Sequence, residues 1–295
     1  MKNILHKLLF AVLLTSSVVF SQERKEPLLI PFELTPNGHI LINAKVNGVE
    51  GKFVFDTGAG MNLLIKKFAD KISDLEKTHH FHTGHRATGE EIMSDIWNSK
   101  LLEISDFKFK EDVCAVYDLD FPIDGLISLT PFINTPLTID FKKKQLVVET
   151  AESVNKRAAA AADFEMPIKV HYDKGITVGI ATNVTLNNQL SLLVNLDSGA
   201  GSGVFRFNAR YLESLAIDTL NTEVQVRESM FKPGHSNKFY FTNLNKLSTA
   251  KNQTEINNVK AQFITGLIHE GIMGIDWIGN VITIDLPGER LIVEK

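Results

Sequence analysis

Two stretches of this chain hold the residue types that can do chemistry. They are Phe53-Val54-Phe55-Asp56-Thr57-Gly58-Ala59-Gly60 and Val194-Asn195-Leu196-Asp197-Ser198-Gly199-Ala200-Gly201. Each is an apolar run followed by an aspartate, a small hydroxyl residue and Gly-Ala-Gly. The two aspartates stand 141 residues apart, roughly the length of one small lobe. Two carboxylates held within hydrogen-bond distance resist ionising together and share a proton, so one can act as base while the other acts as acid. That division of labour activates a water against a peptide carbonyl and then protonates the departing nitrogen.

The surrounding residues are those that would position such a pair. An apolar run ahead of Asp56 and Asp197 reads as a buried strand that carries the carboxylate into the protein. Gly58 and Gly199 allow a sharp turn and the close approach of other backbone. The hydroxyls of Thr57 and Ser198 both donate and accept, so they can tie two such turns together.

The 295 residues are 44% hydrophobic and 22% charged, ordinary for a globular protein with a sizeable core. A formal net charge of -4 implies no strong attraction to nucleic acid or to an anionic membrane surface. Residues 1–21 read as a secretory signal peptide, with a basic start at Lys2, His6 and Lys7, an apolar stretch from Leu8 to Phe20, and cleavage near Ser21–Gln22. That apolar stretch is short for a membrane anchor. The expectation is an exported protein, periplasmic or secreted, with no stable membrane insertion once the leader is removed. A single cysteine, Cys114, excludes an intramolecular disulfide and a multi-cysteine zinc site. In the apolar run Val113-Cys114-Ala115-Val116 it reads as a buried small hydrophobe.

Along the chain, the pattern predicts strands at Leu28 to Phe32, Ile40 to Val46 and Gly51 to Phe55, with Asn47-Gly48 as a hairpin turn. Apolar spacing at Leu64, Phe68, Ile72 and Leu75 predicts a helix over 63–77. Residues 79–91 are polar and punctuated by glycine, which predicts a flexible hairpin. Its four histidines, His79, His80, His82 and His85, are read as solvated rather than metal-binding. Further strands are predicted through 92–117 and at 124–129, and a closing hairpin at Leu137 to Phe141 and Gln145 to Glu149. Residues 151–163, from Ala151 through the run Ala158 to Ala162, lack apolar periodicity and read as a linker.

The second half repeats the programme. Met166-Pro167-Ile168 parallels Ile30-Pro31-Phe32, and Asn187-Asn188 parallels Asn47-Gly48. Phe207 to Ile217 is predicted as the helix after Asp197. His269 to Asp276 parallels Ile123 to Thr130, and Val281 to Leu286 with Arg290 to Glu294 closes the second half as a hairpin. The organisation expected is a lobe over 22–150, the linker over 151–163 and a second lobe over 164–295.

With these residues in view, the chain resembles the aspartic peptidase superfamily, of pepsin-like and retroviral-protease-like fold. It looks closest to the exported bacterial retropepsin-like group. The resemblance rests on Asp56-Thr57-Gly58 with Asp197-Ser198-Gly199, on Leu126-Ile127-Ser128 with Ile272-Met273-Gly274 late in each half, and on the order of strands around them. It implies an all-β, bilobal fold of two pseudo-symmetric β-barrel lobes with a few short helices. It implies Asp56 and Asp197 as the catalytic pair, Thr57, Ser198, Gly58 and Gly199 as its bracing, and a substrate-covering flap at Gly84, His85 and Gly89. Residues near Pro233-Gly234-His235 would be the flap's counterpart. It further implies a peptide or protein substrate, a monomer, and neither metal nor organic cofactor. Two positions depart from the pattern. Ser128 stands where glycine is expected, which predicts altered packing behind Asp56, and 79–91 contains no tyrosine. A peptide-binding protein without turnover on the same scaffold is the alternative that the residues leave open.

Overall fold

The turn at Asn47-Gly48 sets the first unit of the fold. Both residues adopt positive φ, 48° and 81°, the geometry that matches the twist of the strands it joins. It folds Ile40–Val46 back on Val49–Phe55, with Ile40 opposite Phe55 and Val46 opposite Val49. Asn187 and Asn188, at φ 50° and 57°, do the same between Thr177–Leu186 and Leu190–Leu196. Each hairpin ends at one of the two aspartates. The computed structural model describes Arg24, residues 26–160 and residues 162–295. The leader expected at 1–21 lies outside the described residues. Among those residues no helix is long and apolar enough to cross a membrane.

The architecture is all-β and bilobal, with one eight-stranded sheet in each lobe. In the first lobe the strand order is Glu33–Leu34, Ile40–Val46, Val49–Phe55, Gly125–Ile127, Asn62–Ile65, Phe107–Tyr117, Glu91–Ile104, Glu76–His85. Ile40–Val46 also pairs with Glu91–Ile104, which curls the sheet toward a barrel. In the second lobe the order is Lys169–Asp173, Thr177–Leu186, Leu190–Leu196, Gly271–Met273, Phe205–Asn208, Glu255–Ile264, Ser236–Thr249, Glu223–Glu228. There Thr177–Leu186 pairs with Ser236–Thr249. Strand for strand, the two halves repeat one another.

A third sheet, of six strands, joins the lobes. The hairpins expected to close each half separately instead meet edge to edge, Leu137–Asp140 running antiparallel to Val281–Asp285. Leu28–Pro31 and Phe164–Pro167 cap its two edges. Both faces of its central strands are buried, from Leu137, Ile139 and Leu146 to Ile282, Ile284 and Leu291. Their near-continuous apolar sequences are those of strands covered on both sides.

Two predicted helices are corrected by the structure. Residues 63–77 form the strand Asn62–Ile65, a single turn Lys66–Ala69 and irregular turns, not a helix throughout. Leu64, Phe68, Ile72 and Leu75 are nonetheless all buried. The helical spacing is a true burial pattern, but the segment Leu63-Leu64-Ile65 is taken by strand pairing with Phe107–Tyr117 and Gly125–Ile127. Phe207 to Ile217 likewise becomes the end of a strand and two short 3-10 turns, Ala209–Tyr211 and Glu213–Leu215, stopped by Ala216 at φ 52°. In the other direction, the linker expected over 151–163 contains a full ten-residue helix, Ala151–Ala160. Arg157 fixes it by pairing with Glu149 and Glu294, each at 2.7 Å, so the ends of both halves are tied to it.

Candidate active site

Asp56 and Asp197 leave the ends of Val49–Phe55 and Leu190–Leu196 and turn toward each other. The N–H of Asp56 donates to Ile127 O at 2.8 Å and that of Asp197 to Met273 O at 2.9 Å. Each loop is therefore hung on the short strand running parallel beside it, Gly125–Ile127 and Gly271–Met273. Within the loops, Gly58 and Ala59 donate to Asp56 Oδ1 at 2.8 and 3.1 Å, and Ala200 donates to Asp197 Oδ1 at 2.9 Å. These N–H groups fix one oxygen of each carboxyl group.

The lobes interlock beneath the carboxyl groups. Thr57 N–H donates to Ser198 Oγ, and Ser198 N–H donates to Thr57 Oγ1, both at 3.0 Å. Each hydroxyl then donates onward across the boundary, Thr57 Oγ1 to Leu196 O at 2.8 Å and Ser198 Oγ to Phe55 O at 2.9 Å. Both side chains are buried. The glycines are needed for the same approach. A Cβ on Gly58 would stand 2.5 Å from Asp197 Oδ1, and one on Gly199 would stand 2.5 Å from Asp56 Oδ1. Neither gap accommodates a methyl group.

The two carboxyl groups face each other across the lobe boundary, each lying against the opposite loop's glycine. Burial, and after it the charge and hydrogen bond of Asp56, push the Asp197 carboxyl well above the usual carboxylate range. The pair thus retains a proton at a pH where separate carboxylates would have lost theirs. A half-protonated pair, one group as donor and the other as acceptor, is the state suited to polarising a water and a carbonyl in one step.

Ser128 does not disturb the loop behind Asp56. It is wholly buried, and both its N–H and its hydroxyl donate to Asn62 Oδ1, at 2.8 and 3.1 Å. The close approach falls on an earlier residue of each segment. A side chain on Gly125 would collide with Leu63 O, and a Cβ on Gly271 would lie 2.8 Å from both the Phe207 ring and Val194. Gly274, the counterpart of Ser128, faces Gly201 O, where a Cβ would come within 2.5 Å. Asn62 also donates to both oxygens of the buried Asp112, at 2.9 and 3.0 Å.

Gly84 and His85 end the strand Glu76–His85, and Gly89 makes the following turn at φ 92°. Arg86 N–H donates to Glu90 O at 2.8 Å and closes that hairpin. His79, His80 and His85 are exposed along it. The residues around Pro233-Gly234-His235 form the matching tip in the second lobe, between Glu223–Glu228 and Ser236–Thr249. The first tip is held down on the second lobe. Thr88 O contacts His235 Nε2 at 3.0 Å and accepts from Asn237 Nδ2 at 3.2 Å, while Ala87 O accepts from Ile268 N–H at 3.0 Å. Cys114 lies buried away from these groups, and burial raises its thiol, as for an inert core residue.

Residues 42–130, which span the Asp56 loop and the strands around it, match a family model described as aspartyl protease. Over this segment the first lobe is similar to aspartyl proteases. A segment of 97 residues is 34% identical to an uncharacterized protein of Rickettsia prowazekii (strain Madrid E), covering 32% of this chain. The match spans 42% of that relative's length. A solved structure, a retropepsin-like aspartic protease from Rickettsia conorii, is 25% identical, with a TM-score of 0.29. That alignment covers 42% of this chain and 88% of the other.

The family match falls in the first lobe. The second aspartate enters through the repetition of strand order and of loop hydrogen bonds.

Three site residues are not evident from the motifs. Arg86, Arg206 and Arg227 line a cleft of about 430 Å³ beneath the two hairpin tips. The duplication holds a signal for Arg206. The strand pairing sets it beside Gln262 as Leu63 is set beside Ala115, so a charge occupies a position that is apolar in the other half.

Proposed function

We propose that this protein is an aspartic endopeptidase that hydrolyses peptide bonds with a water held between Asp56 and Asp197. The observation that carries the reading is the meeting of these two carboxyl groups on loops locked together by Thr57 and Ser198. The ionised carboxylate takes a proton from the water as it attacks the scissile carbonyl. The protonated partner hydrogen-bonds the carbonyl oxygen as negative charge develops there. Collapse of the tetrahedral species passes a proton to the amine nitrogen, and the pair returns to its singly protonated state. Substrate lies extended between the hairpin tips, its backbone pairing with them as an added strand. The tip at Arg86 to Glu90 lifts off Asn237 and Ile268 to admit it. The chain supplies both aspartates, so a monomer suffices, and the chemistry calls for no metal or organic cofactor. Export to the periplasm or outside the cell, as residues 1–21 suggest, belongs to the same proposal.

The test is cleavage of an unfolded protein across roughly pH 3 to 8, by wild type, Asp56→Asn and Asp197→Asn. Loss of activity in both variants is the expected result. Residual cleavage equal to wild type in both would remove the dyad from the mechanism. Tight peptide binding by wild type with no turnover would favour the peptide-binding alternative.

A further inference from the structure

The cleft beneath the hairpin tips carries several cations. Arg206 and Arg227 line it from the second lobe and Arg86 from the first-lobe tip, against Glu90 and Glu228. Both carboxylates are already engaged. Glu90 lies 3.8 Å from Arg86 and accepts from the Thr88 hydroxyl, while Glu228 Oε1 accepts from Gly234 N–H at 3.0 Å. Arg206 and Arg227 form no ion pair among the described residues. Arg206 meets Gln262 Oε1 at 3.4 Å, and Arg227 meets Gln225 Oε1 at 2.8 Å.

These guanidinium groups are held on supports. Arg227 lies over the rings of Phe239 and Phe241, 4.7 and 5.4 Å from their centroids, and Arg86 lies 3.6 Å over Phe231. Stacking of this kind orients the planar donor fork while leaving its edge available. Arg206 is half-buried and feels the charges of both Asp197 and Arg227. Its own charge is disfavoured by burial and by Arg227, and an incoming anion relieves both.

The corresponding position in the first lobe is apolar. Leu63 packs with Met61, Ile96 and Ala115 where the second lobe has Arg206 beside Gln262. At this position the charge belongs to the second lobe alone.

We infer that Arg206 and Arg227 form a subsite that selects a substrate carboxylate on the second-lobe side of the scissile bond. This rests on the peptidase reading and names its substrate class. The carboxylate is supplied by an Asp or Glu side chain or by a peptide's own C-terminus, and a guanidinium fork matches either through paired N–H donors.

The experiment uses end-blocked fluorogenic peptides that differ only in Glu or Gln at each position near the cleavage point, plus one set ending in a free carboxylate. Wild type is expected to favour Glu over Gln at one position by about tenfold or more in kcat/KM. Raising the salt should shrink that preference, because Arg227 is solvent-facing. Arg206→Gln and Arg227→Gln should each collapse the Glu-to-Gln ratio toward unity, and Arg206→Lys should restore part of it. A preference confined to the free-terminus set would assign the subsite to a chain end.

The same peptides are titrated onto Asp56→Asn by fluorescence anisotropy, which reads the subsite without turnover. If wild type cleaves nothing while Asp56→Asn still binds Glu peptides about tenfold tighter than Gln peptides, the subsite stands and the peptidase reading falls. Equal handling of Glu and Gln at every position, or a preference untouched by Arg206→Gln, overturns the subsite. Absence of any peptide binding does the same.

Discussion

Thr57 and Ser198 exchange hydrogen bonds across the lobe boundary, each backbone N–H donating to the other's hydroxyl at 3.0 Å. The exchange makes the two aspartate loops one mechanical unit. Removing either hydroxyl deletes two bonds and leaves the opposite loop with a buried N–H that no longer has an acceptor. Thr57→Ala and Ser198→Ala should each lower unfolding free energy by about 1–3 kcal/mol, measured by denaturant titration. The double variant should lose less than the sum, because one network is being removed twice. Thr57→Ser keeps the hydroxyl and should keep most of the stability. Strict additivity of the two alanine changes would show that the loops are braced independently.

Gly58 and Gly199 set how near the carboxyl groups come. A methyl group on either would stand 2.5 Å from an oxygen of the opposite aspartate, well inside contact distance. Gly58→Ala and Gly199→Ala should push the carboxyl groups apart and cut kcat/KM by about a hundredfold or more, the scale of a misplacement near 1 Å. Circular dichroism should report retained sheet structure. Full activity in either variant would mean that the loops yield without disturbing the pair.

Much of this site is legible because the chain states it twice. Asp56-Thr57-Gly58 and Asp197-Ser198-Gly199 differ by one methyl group in the central residue, and strand periodicity locates the hairpins that deliver them. What escapes the sequence depends on partners remote along the chain. Leu64, Phe68, Ile72 and Leu75 have helical spacing and are buried, yet the pairing of Leu63 with Leu126 and Ala115 makes the segment's start a strand. Tertiary pairing overrides local periodicity there. The joining of Leu137–Asp140 to Val281–Asp285 is equally hidden, because an apolar strand does not say which edge it will meet. Ser128 looks like a defect when set against a glycine pattern. Its acceptor is Asn62, 66 residues away in sequence.

The raised Asp197 carboxyl fixes the direction of the pH response of activity. Burial and the neighbouring Asp56 keep a proton on the pair above the range of an ordinary aspartate near 3.8. With the singly protonated pair as the proposed working form, kcat/KM should fall as pH rises through this elevated value. It should fall again in acid, where both groups carry protons. A bell-shaped profile whose alkaline limb lies above the ordinary aspartate range is the expected measurement. A profile that keeps rising with pH past neutrality would contradict a shared proton.

Asp112 gives the fold its own pH dependence, away from the reacting atoms. Its side chain is buried and meets only the Asn62 amide among the described hydrogen bonds, and burial raises it to about 7 against the opposing pull of Asn62. Between the unfolded value near 3.8 and the folded value near 7, the native state therefore holds a proton that the unfolded chain has released. Stability from this group is complete below that window and declines as pH rises through it. The full decline is on the order of 4 kcal/mol, at about 1.4 kcal/mol for each tenfold difference in proton affinity between the folded and unfolded chains. Asp197 is displaced in the same direction, so the comparison belongs in an Asp197→Asn background. There, Asp112→Asn keeps the shape, removes the titration, and should flatten the fall in unfolding free energy between about pH 4 and pH 7. Guanidinium melts at several pH values decide the matter: parallel curves with and without Asp112 would mean that the carboxyl stays ionised in the fold, with Asn62 alone compensating its charge.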